Sequence, residues 1–282
     1  MSTRRTPTER QRRLGAELRK LRVAAGLSTD VAARLLDMDR TRLANMESGI
    51  RTINAERVRK LASNYLQGED AYVEALVEMA GADAGWWERY RGSLPQGMLD
   101  IAEMEARSLR MRAANTVHIP GLLQTTEHAT AVFRVVVPKL PEHEVALRLA
   151  HRAERQQVLT DDGGVPYVAV IHEAALRMQF GGRNVARAQL EHVLAMSELS
   201  NVTVLALPFE RGAFPGAGQN AVYAVGAVPQ LDTVQVDSLH GPAFLHADGQ
   251  LAKYRAQLDW LDELVLCPKQ SQDFIHQIAS QL

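Results

Sequence analysis

Apolar residues recur at helical spacing through the first eighty positions. Leu14, Leu18 and Leu21 stand at i, i+4 and i+7, the stripe of a helix with one buried face. Gly26 follows at a point where that helix needs a left-handed terminator. Ser28 is placed to cap a second helix over Thr29–Leu36, with Ala32, Leu35 and Leu36 facing inward. Asp39 caps a third, whose inner positions are Leu43 and Met46 and which stops before Gly49. Asn54 caps a fourth, with Val58, Leu61, Ala62 and Tyr65 inward, and residues 70–79 make a fifth around Val73, Leu76 and Val77.

Past Gly81–Gly85, where two glycines bracket small residues, the pattern changes. Met98 to Ala114 reads as helix, and His118-Ile119-Pro120-Gly121 as a turn. Glu142–Leu159, Val185–Leu199, Leu251–Leu264 and Ser271–Leu282 carry helical patterns. The β-branched runs Val165–Ile171, Val202–Leu207, Ala221–Val225 and Thr233–Val236 predict strands. The expected architecture is an all-α N-terminal domain of five helices followed by a larger α/β or α+β C-terminal domain. Its expected divisions are a basic arm over 1–10, the helical domain over 11–80, a linker over 81–85 and the second domain over 86–282.

With 282 residues, two domains is the natural expectation, and 46% hydrophobic residues exclude a wholly disordered chain. No apolar run approaches the length of a membrane span, and the polar start Met1–Pro7 lacks the apolar core of a secretory signal. Cys267 stands alone, so neither an internal disulfide nor a multi-cysteine zinc site can form. A cytoplasmic protein is expected. The formal net charge of −1 conceals a strong division. Residues 1–60 hold 15 Lys+Arg against 7 Asp+Glu, a net +8, whereas residues 61–282 hold 17 against 26, a net −9. A basic head on an acidic body suits attraction to nucleic acid, although a small domain with a basic surface would look the same.

The chemistry of Leu27–Gly49 sharpens this reading. Two capped helices are joined by Asp37-Met38-Asp39, and the second leaves a polar face of Arg40, Thr41, Arg42, Asn45 and Ser48. A helix lying in the major groove reads base edges with such side chains, arginine pairing with guanine and asparagine with adenine. Arg4, Arg5, Arg10, Arg12 and Arg13 could follow the DNA backbone or minor groove as an arm, or form a disordered leader.

The stretch LSTDVAARLLDMDRTRLANMESG resembles the helix-turn-helix of the lambda/Cro-repressor type, the XRE family, over roughly residues 11–67. The resemblance implies that Arg40, Thr41 and Asn45 contact bases, with Arg42 at the edge. It implies phosphate contacts from Thr29, Ser48, Arg51 and Thr52, and a structural ion pair between Arg22 and Glu47. Thr29 replaces the glutamine that many members carry. The segments WWERY at Trp86–Tyr90, IPGLLQT at Ile119–Thr125, RAERQQVL at Arg152–Leu159 and VIHEAALR at Val170–Arg177 resemble, in order, the C-terminal domain of actinobacterial WhiJ-like regulators. That resemblance implies a regulator working beside a small partner protein.

Nothing in the residues calls for an enzyme. No HExxH or G-x-S-x-G occurs among the nine scattered histidines and the serines, and the loop Phe209–Gly218 lacks the lysine of a phosphate-binding loop. Glu173, Asp237 and His240 could meet only by folding, and Cys267 reads as a buried small residue. No cofactor or metal is expected. Arg148, Arg152 and Arg155 line one helix face, either solvated and salt-bridged or facing an acidic ligand or partner. The expectation is a homodimeric, sequence-specific transcriptional regulator bound to a near-palindromic double-stranded DNA operator. A small partner protein or small-molecule effector would switch it. The other reading is an antitoxin-like module whose main role is binding a small partner protein.

Overall fold

The computed structural model describes residues 6–65, 70–81, 83–216 and 218–282. The chain divides into two compact units, Met1–Glu88 and Arg89–Leu282, a little past the 81–85 stretch that composition marks. Arg4 and Arg5 lie outside the described residues.

The described part of the N-terminal unit contains helices α1 (Glu9–Ala24), α2 (Thr29–Leu35), α3 (Arg40–Glu47), α4 (Ala55–Tyr65) and α5 (Asp70–Gly81). Side chains at the expected positions start three of them. Ser28 accepts from the Val31 amide at 3.3 Å, Asp39 from the Arg42 amide at 2.7 Å, and Asn54 from the Arg57 amide at 3.0 Å. Leu14, Leu18, Leu21, Leu43, Met46, Val58 and Leu61 are buried together with Ala32 and Leu36. Leu35, expected to face inward, is 48% exposed, because the short α2 turns Ala32 and Ala33 to the core instead. Gly49, past α3, has φ +73°, and a Cβ there would lie 2.7 Å from the Arg12 amide nitrogen. Gly15 likewise lets α1 approach α3, since its Cβ would lie 2.5 Å from the Met46 carbonyl.

The basic-arm expectation needs correcting from Thr8 onward. Thr8 caps α1 reciprocally with Gln11, so Arg10, Arg12 and Arg13 are helical residues. Arg10 donates to the Met79 carbonyl, Arg12 pairs with Glu9 at 2.8 Å, and Arg13 is buried against Glu17 at 2.9 Å. Arg10 thus ties α1 to α5, while the other two guanidiniums pair within α1.

The C-terminal unit is α/β with a mixed sheet. Its elements run α6 (Gln96–Ala106), β1 (Arg110–Asn115), α7 (Thr126–Arg134), α8 (Glu142–Gln156), β2 (Tyr167–His172), α9 (Glu173–Arg177), α10 (Arg183–Met196) and β3 (Val202–Leu207). They continue with β4 (Ala221–Val225), β5 (Thr233–Ser238), β6 (Gly241–Leu245), α11 (Asp248–Leu264) and α12 (Pro268–Gln281). Among the described residues the strand order is β3-β2-β1-β4-β5-β6, parallel from β3 to β1 and antiparallel from β1 to β6.

Strand alternation sends side chains to two faces, and each face has its own apolar cluster. Met111, Ala113, Tyr167, Ala169, Ile171 and Val204 pack with residues of α10 and α12 on one face. Ala114, Val170, Tyr223, Val234 and Val236 pack with Leu251, Leu258 and Leu261 of α11 on the other. Ser271 pins α12 to β3: its hydroxyl accepts from the Ala206 amide at 2.9 Å and donates to the Leu266 carbonyl at 3.0 Å.

Three further expectations change. Residues 110–114, read as the end of a helix over Met98–Ala114, lie in β1, because pairing with β2 and β4 on both sides outweighs the helical preference of Met, Arg and Ala. β6 and α7 are additional elements. Cys267 is exposed rather than buried, since it occupies the N-cap of α12 just before Pro268.

His128 on α7 is 1% exposed, and neither ring nitrogen has a hydrogen-bond partner. Burial, reinforced by His118 and Arg152, pushes its pKa down to about 4. Below pH 6.5 the unfolded chain takes up a proton that the folded ring refuses until about pH 4. Its contribution to stability is therefore whole above 6.5 and falls as pH drops from 6.5 toward 4. Thermal melts across that range should show a shallower loss of Tm in His128→Phe than in the wild type. Identical slopes would mean that His128 does not set the acid sensitivity.

Candidate nucleic-acid interface

Helix α3 is fixed from its inner side. Leu43 and Met46 are 1% and 0% exposed, and the last residue of the helix, Glu47, forms a bidentate ion pair with Arg22 of α1. Arg22 Nε donates to Glu47 Oε1 at 2.6 Å and Nη2 donates to Oε2 at 2.9 Å. The remaining Nη1 donates to the Leu27 carbonyl at 2.7 Å, which ties the α1–α2 turn to the same guanidinium. The hydrogen bonds that Arg22 donates to Glu47 raise its pKa above the ordinary value against the opposing effect of burial. The Arg22–Glu47 pair expected from the resemblance is thus present as a buried strut.

With that side anchored, α3 turns its polar residues outward. Arg40 and Thr41 are exposed, and Arg42 and Asn45 are partly exposed one turn along. Arg40 meets Asp30 of α2 at 3.6 Å, an exposed pair that water screens and that another partner could replace. Arg42 keeps its Nε buried and without a hydrogen-bond partner. Ser48, just past the helix, donates to the Asn45 carbonyl at 3.2 Å. The α2–α3 turn carries Asp37 at φ +52°, a conformation that aspartate tolerates better than most residues.

Thr29, at the first position of α2, lines a polar cleft of 260 Å³ together with Arg40, Ser48, Ala44, Arg22, Glu47 and Arg19. The structure therefore brings Thr29, Arg40 and Ser48 to one opening. Arg51 and Thr52 are exposed in the following loop, outside that cleft, as are Thr41, Arg42 and Asn45 on the outer face. Arg19 is the residue that sequence reasoning missed. It is exposed next to the inward Leu18, and that position relative to the apolar stripe was the available signal.

In the C-terminal unit, three of the sequence motifs converge on α8. Tyr90 donates to Glu154 at 2.5 Å, and Arg89 pairs with the same carboxylate. Gln156 donates to the Gln124 carbonyl at 2.6 Å, while Gln124 donates to the Ile119 carbonyl at 2.7 Å and accepts from Arg152. From α10, the buried Gln189 donates to the Leu123 carbonyl at 2.6 Å and accepts from the Thr125 amide at 2.8 Å. The turn 119–125 is thereby held rigidly against α8.

The arginines expected on one face of α8 have different fates. Arg148 pairs with Glu144 at 2.6 Å, Arg155 is buried against Glu105 with bonds of 2.7 and 2.6 Å, and all three arginines line a cavity. Asp237 lines it too, whereas Glu173 and His240 do not. Glu173 instead accepts from Arg177 at 2.6 Å and from the Phe209 amide at 2.8 Å.

The anchored, outward-facing α3 behind a four-residue turn defines a helix-turn-helix protein with an appended α/β domain. The model of a helix-turn-helix domain family matches residues 13–76. That of a domain of unknown function, DUF5753, matches residues 98–277, and the chain belongs to the DUF5753 family. No curated protein and no solved structure matches the chain. Among the described residues no helix is long and apolar enough to cross a membrane.

Because both charges of the Arg22–Glu47 pair are buried, removing one leaves the other uncompensated. Glu47→Ala should destabilise the N-terminal unit by about 3 kcal/mol. The double replacement Arg22→Met with Glu47→Leu should recover most of that loss in a chemical denaturation series. A Glu47→Ala melt matching the wild type would show that the pair does not anchor α3.

Proposed function

We propose that this protein is a sequence-specific transcriptional regulator that places α3 in the major groove of double-stranded DNA. The observation that carries the reading is the division of α3 into a locked inner side and an outer face bearing Arg40, Thr41, Arg42 and Asn45. Arg40 and Asn45 have the side chains for bidentate readout of guanine and adenine, with Thr41 beside them and Arg42 at the edge. Thr29, Ser48, Arg51 and Thr52 flank that face and suit phosphate contacts, which fix orientation without reading sequence. The net +8 of residues 1–60 favours the polyanion, and the acidic remainder discourages unspecific wrapping. In a homodimer, two copies of α3 would reach grooves about 34 Å apart on a near-palindromic operator. The C-terminal domain would hold the switch, responding to a small molecule or a small partner protein, as in the WhiJ-like regulators that the sequence resembles.

The test is selection of bound fragments from random DNA by the full-length protein, followed by anisotropy titrations at several salt concentrations. A two-fold symmetric motif is expected. On that motif Arg40→Ala and Asn45→Ala should each cost about 1–3 kcal/mol and relax base preference, while Arg51→Ala should weaken selected and random DNA alike. Equal losses on selected and random DNA for Arg40→Ala and Asn45→Ala would overturn the readout assignment.

A further inference from the structure

The cavity beside α8 has a volume of 510 Å³ and lies wholly within the C-terminal unit. Its floor is one face of the sheet. The register pairs Ala113 with Val222 and Val222 with Gln235, so Asn115, Val222, Gln235 and Asp237 project to the same side. The cavity sits at the carboxyl end of β1, where its neighbours change from parallel β2 to antiparallel β4. The strand order also reverses there, with β2 and β3 to one side of β1 and β4 to β6 to the other, and open α/β sheets place ligands at such switch points. The roof consists of the α8 arginines, the walls of apolar residues including Ile101, Ile119, Val132, Phe133 and Val136. Val135, Val137 and Leu239 also line it while remaining 61%, 81% and 93% exposed, which gives the mouth an apolar rim.

One arginine of this chamber lacks a direct ion pair among the described residues, and Glu105 and Asp237 act on it only through space. Arg148 has Glu144 and Arg155 has Glu105, but Arg152 forms no ion pair among the described residues. Its Nη1 donates to the neutral Gln124, its guanidinium lies 4.7 Å from the centre of the Phe133 ring, and its Nε is buried with no hydrogen-bond partner. Burial and the neighbouring Arg155 push its pKa down to about 9, so near pH 7 it remains a cation in a poorly solvated place. Asp237 on the opposite wall is exposed and accepts from Gln235 at 2.8 Å. The turn that orients Arg152 is itself held by Gln156 and Gln189, which makes the site preorganised.

We infer that this cavity is a binding site for a small amphipathic anion, with a carboxylate or phosphate-type group on Arg152 and an apolar body along Phe133 and the Val132–Val137 wall. A guanidinium with no ion pair favours an anionic group on the ligand, and the volume falls in the range that holds drug-sized molecules. The inference supplies the effector class for the regulator proposed above. Its consequence for DNA rests on that reading, but the binding itself does not.

The full-length protein is titrated, without DNA, with 8-anilinonaphthalene-1-sulfonate, an amphipathic monoanion whose fluorescence reports burial. N-phenyl-1-naphthylamine, the same body without the sulfonate, serves as the control. Saturable binding of one sulfonate probe per chain is expected, tighter than that of the neutral control. Arg152→Gln should weaken the sulfonate probe by about tenfold or more and leave the neutral control within about twofold. Asn115→Asp changes no side-chain volume to speak of and adds a negative charge to the floor, so it should weaken the sulfonate probe in the same direction. Displacement by 3-phenylpropionate and by phenyl phosphate then ranks carboxylate against phosphate. Unsaturable binding, unchanged affinity in both variants, a preference for the neutral control, or displacement by neither competitor would overturn the inference. Because DNA is absent throughout, such a failure is distinct from a failure of the operator selection.

Discussion

Helix α8 carries three guanidiniums onto one face of the mixed sheet, and only two of them receive a carboxylate within ion-pairing distance among the described residues. Much of the C-terminal unit is arranged around that imbalance. Glu105 of α6 neutralises Arg155 and thereby fixes α8 against α6. Gln124 and Gln156 then bind the 119–125 turn to the same helix, and Gln189 holds that turn from α10. Gln124 and Gln189, buried amides with both ends occupied, are well suited to this, because they specify geometry without adding charge. What they specify is the position of Arg152, which they leave without a direct ion pair among the described residues.

The N-terminal unit uses the same chemistry to the opposite end. Arg22 bonds through each of its three nitrogens, to both Glu47 oxygens and to the Leu27 carbonyl. A planar fork matched to a carboxylate transmits orientation more faithfully than a single flexible ammonium could. The strut sits on the buried side of α3, so the outer residues are left as a rigid row on a short helix. Arg13 and Arg10 do similar work at the other end of α1, and for that reason a run of arginines near the start of a chain need not be a tail.

How much of this could be read from the sequence depended on whether the controlling interaction was local. Ser28, Asp39 and Asn54 announce helix starts through their own side chains, and Leu14, Leu18 and Leu21 announce a face, so the helical unit was legible almost residue by residue. Arg22 and Glu47 were legible through resemblance alone, since 25 residues separate them. β1 was not, because Arg110–Asn115 has the composition of a helix and becomes a strand only when β2 and β4 flank it. β6 was hidden by its opening Gly241-Pro242, which is tolerable at the sheet edge that it forms. The arginines of α8 were visible as a face, but Asp237 and Gln235 come to that face only through the register of β4 and β5. Cys267 shows the reverse case, where a local rule about cysteine burial yields to a helix cap beside a proline.

The histidines near the cavity have a bearing on how it could work as a sensor. Burial depresses His118 and His128, and both rings pack against Phe180. Both shifts favour the neutral rings, so the cationic groups facing the chamber are the α8 guanidiniums. A receptor built in this way is buffered against its surroundings: a change in cellular acidity leaves its own charge constant and acts only on the ionisation of whatever enters. Its occupancy would then follow the concentration of the anionic form of the ligand, so the chamber would register metabolic supply rather than pH.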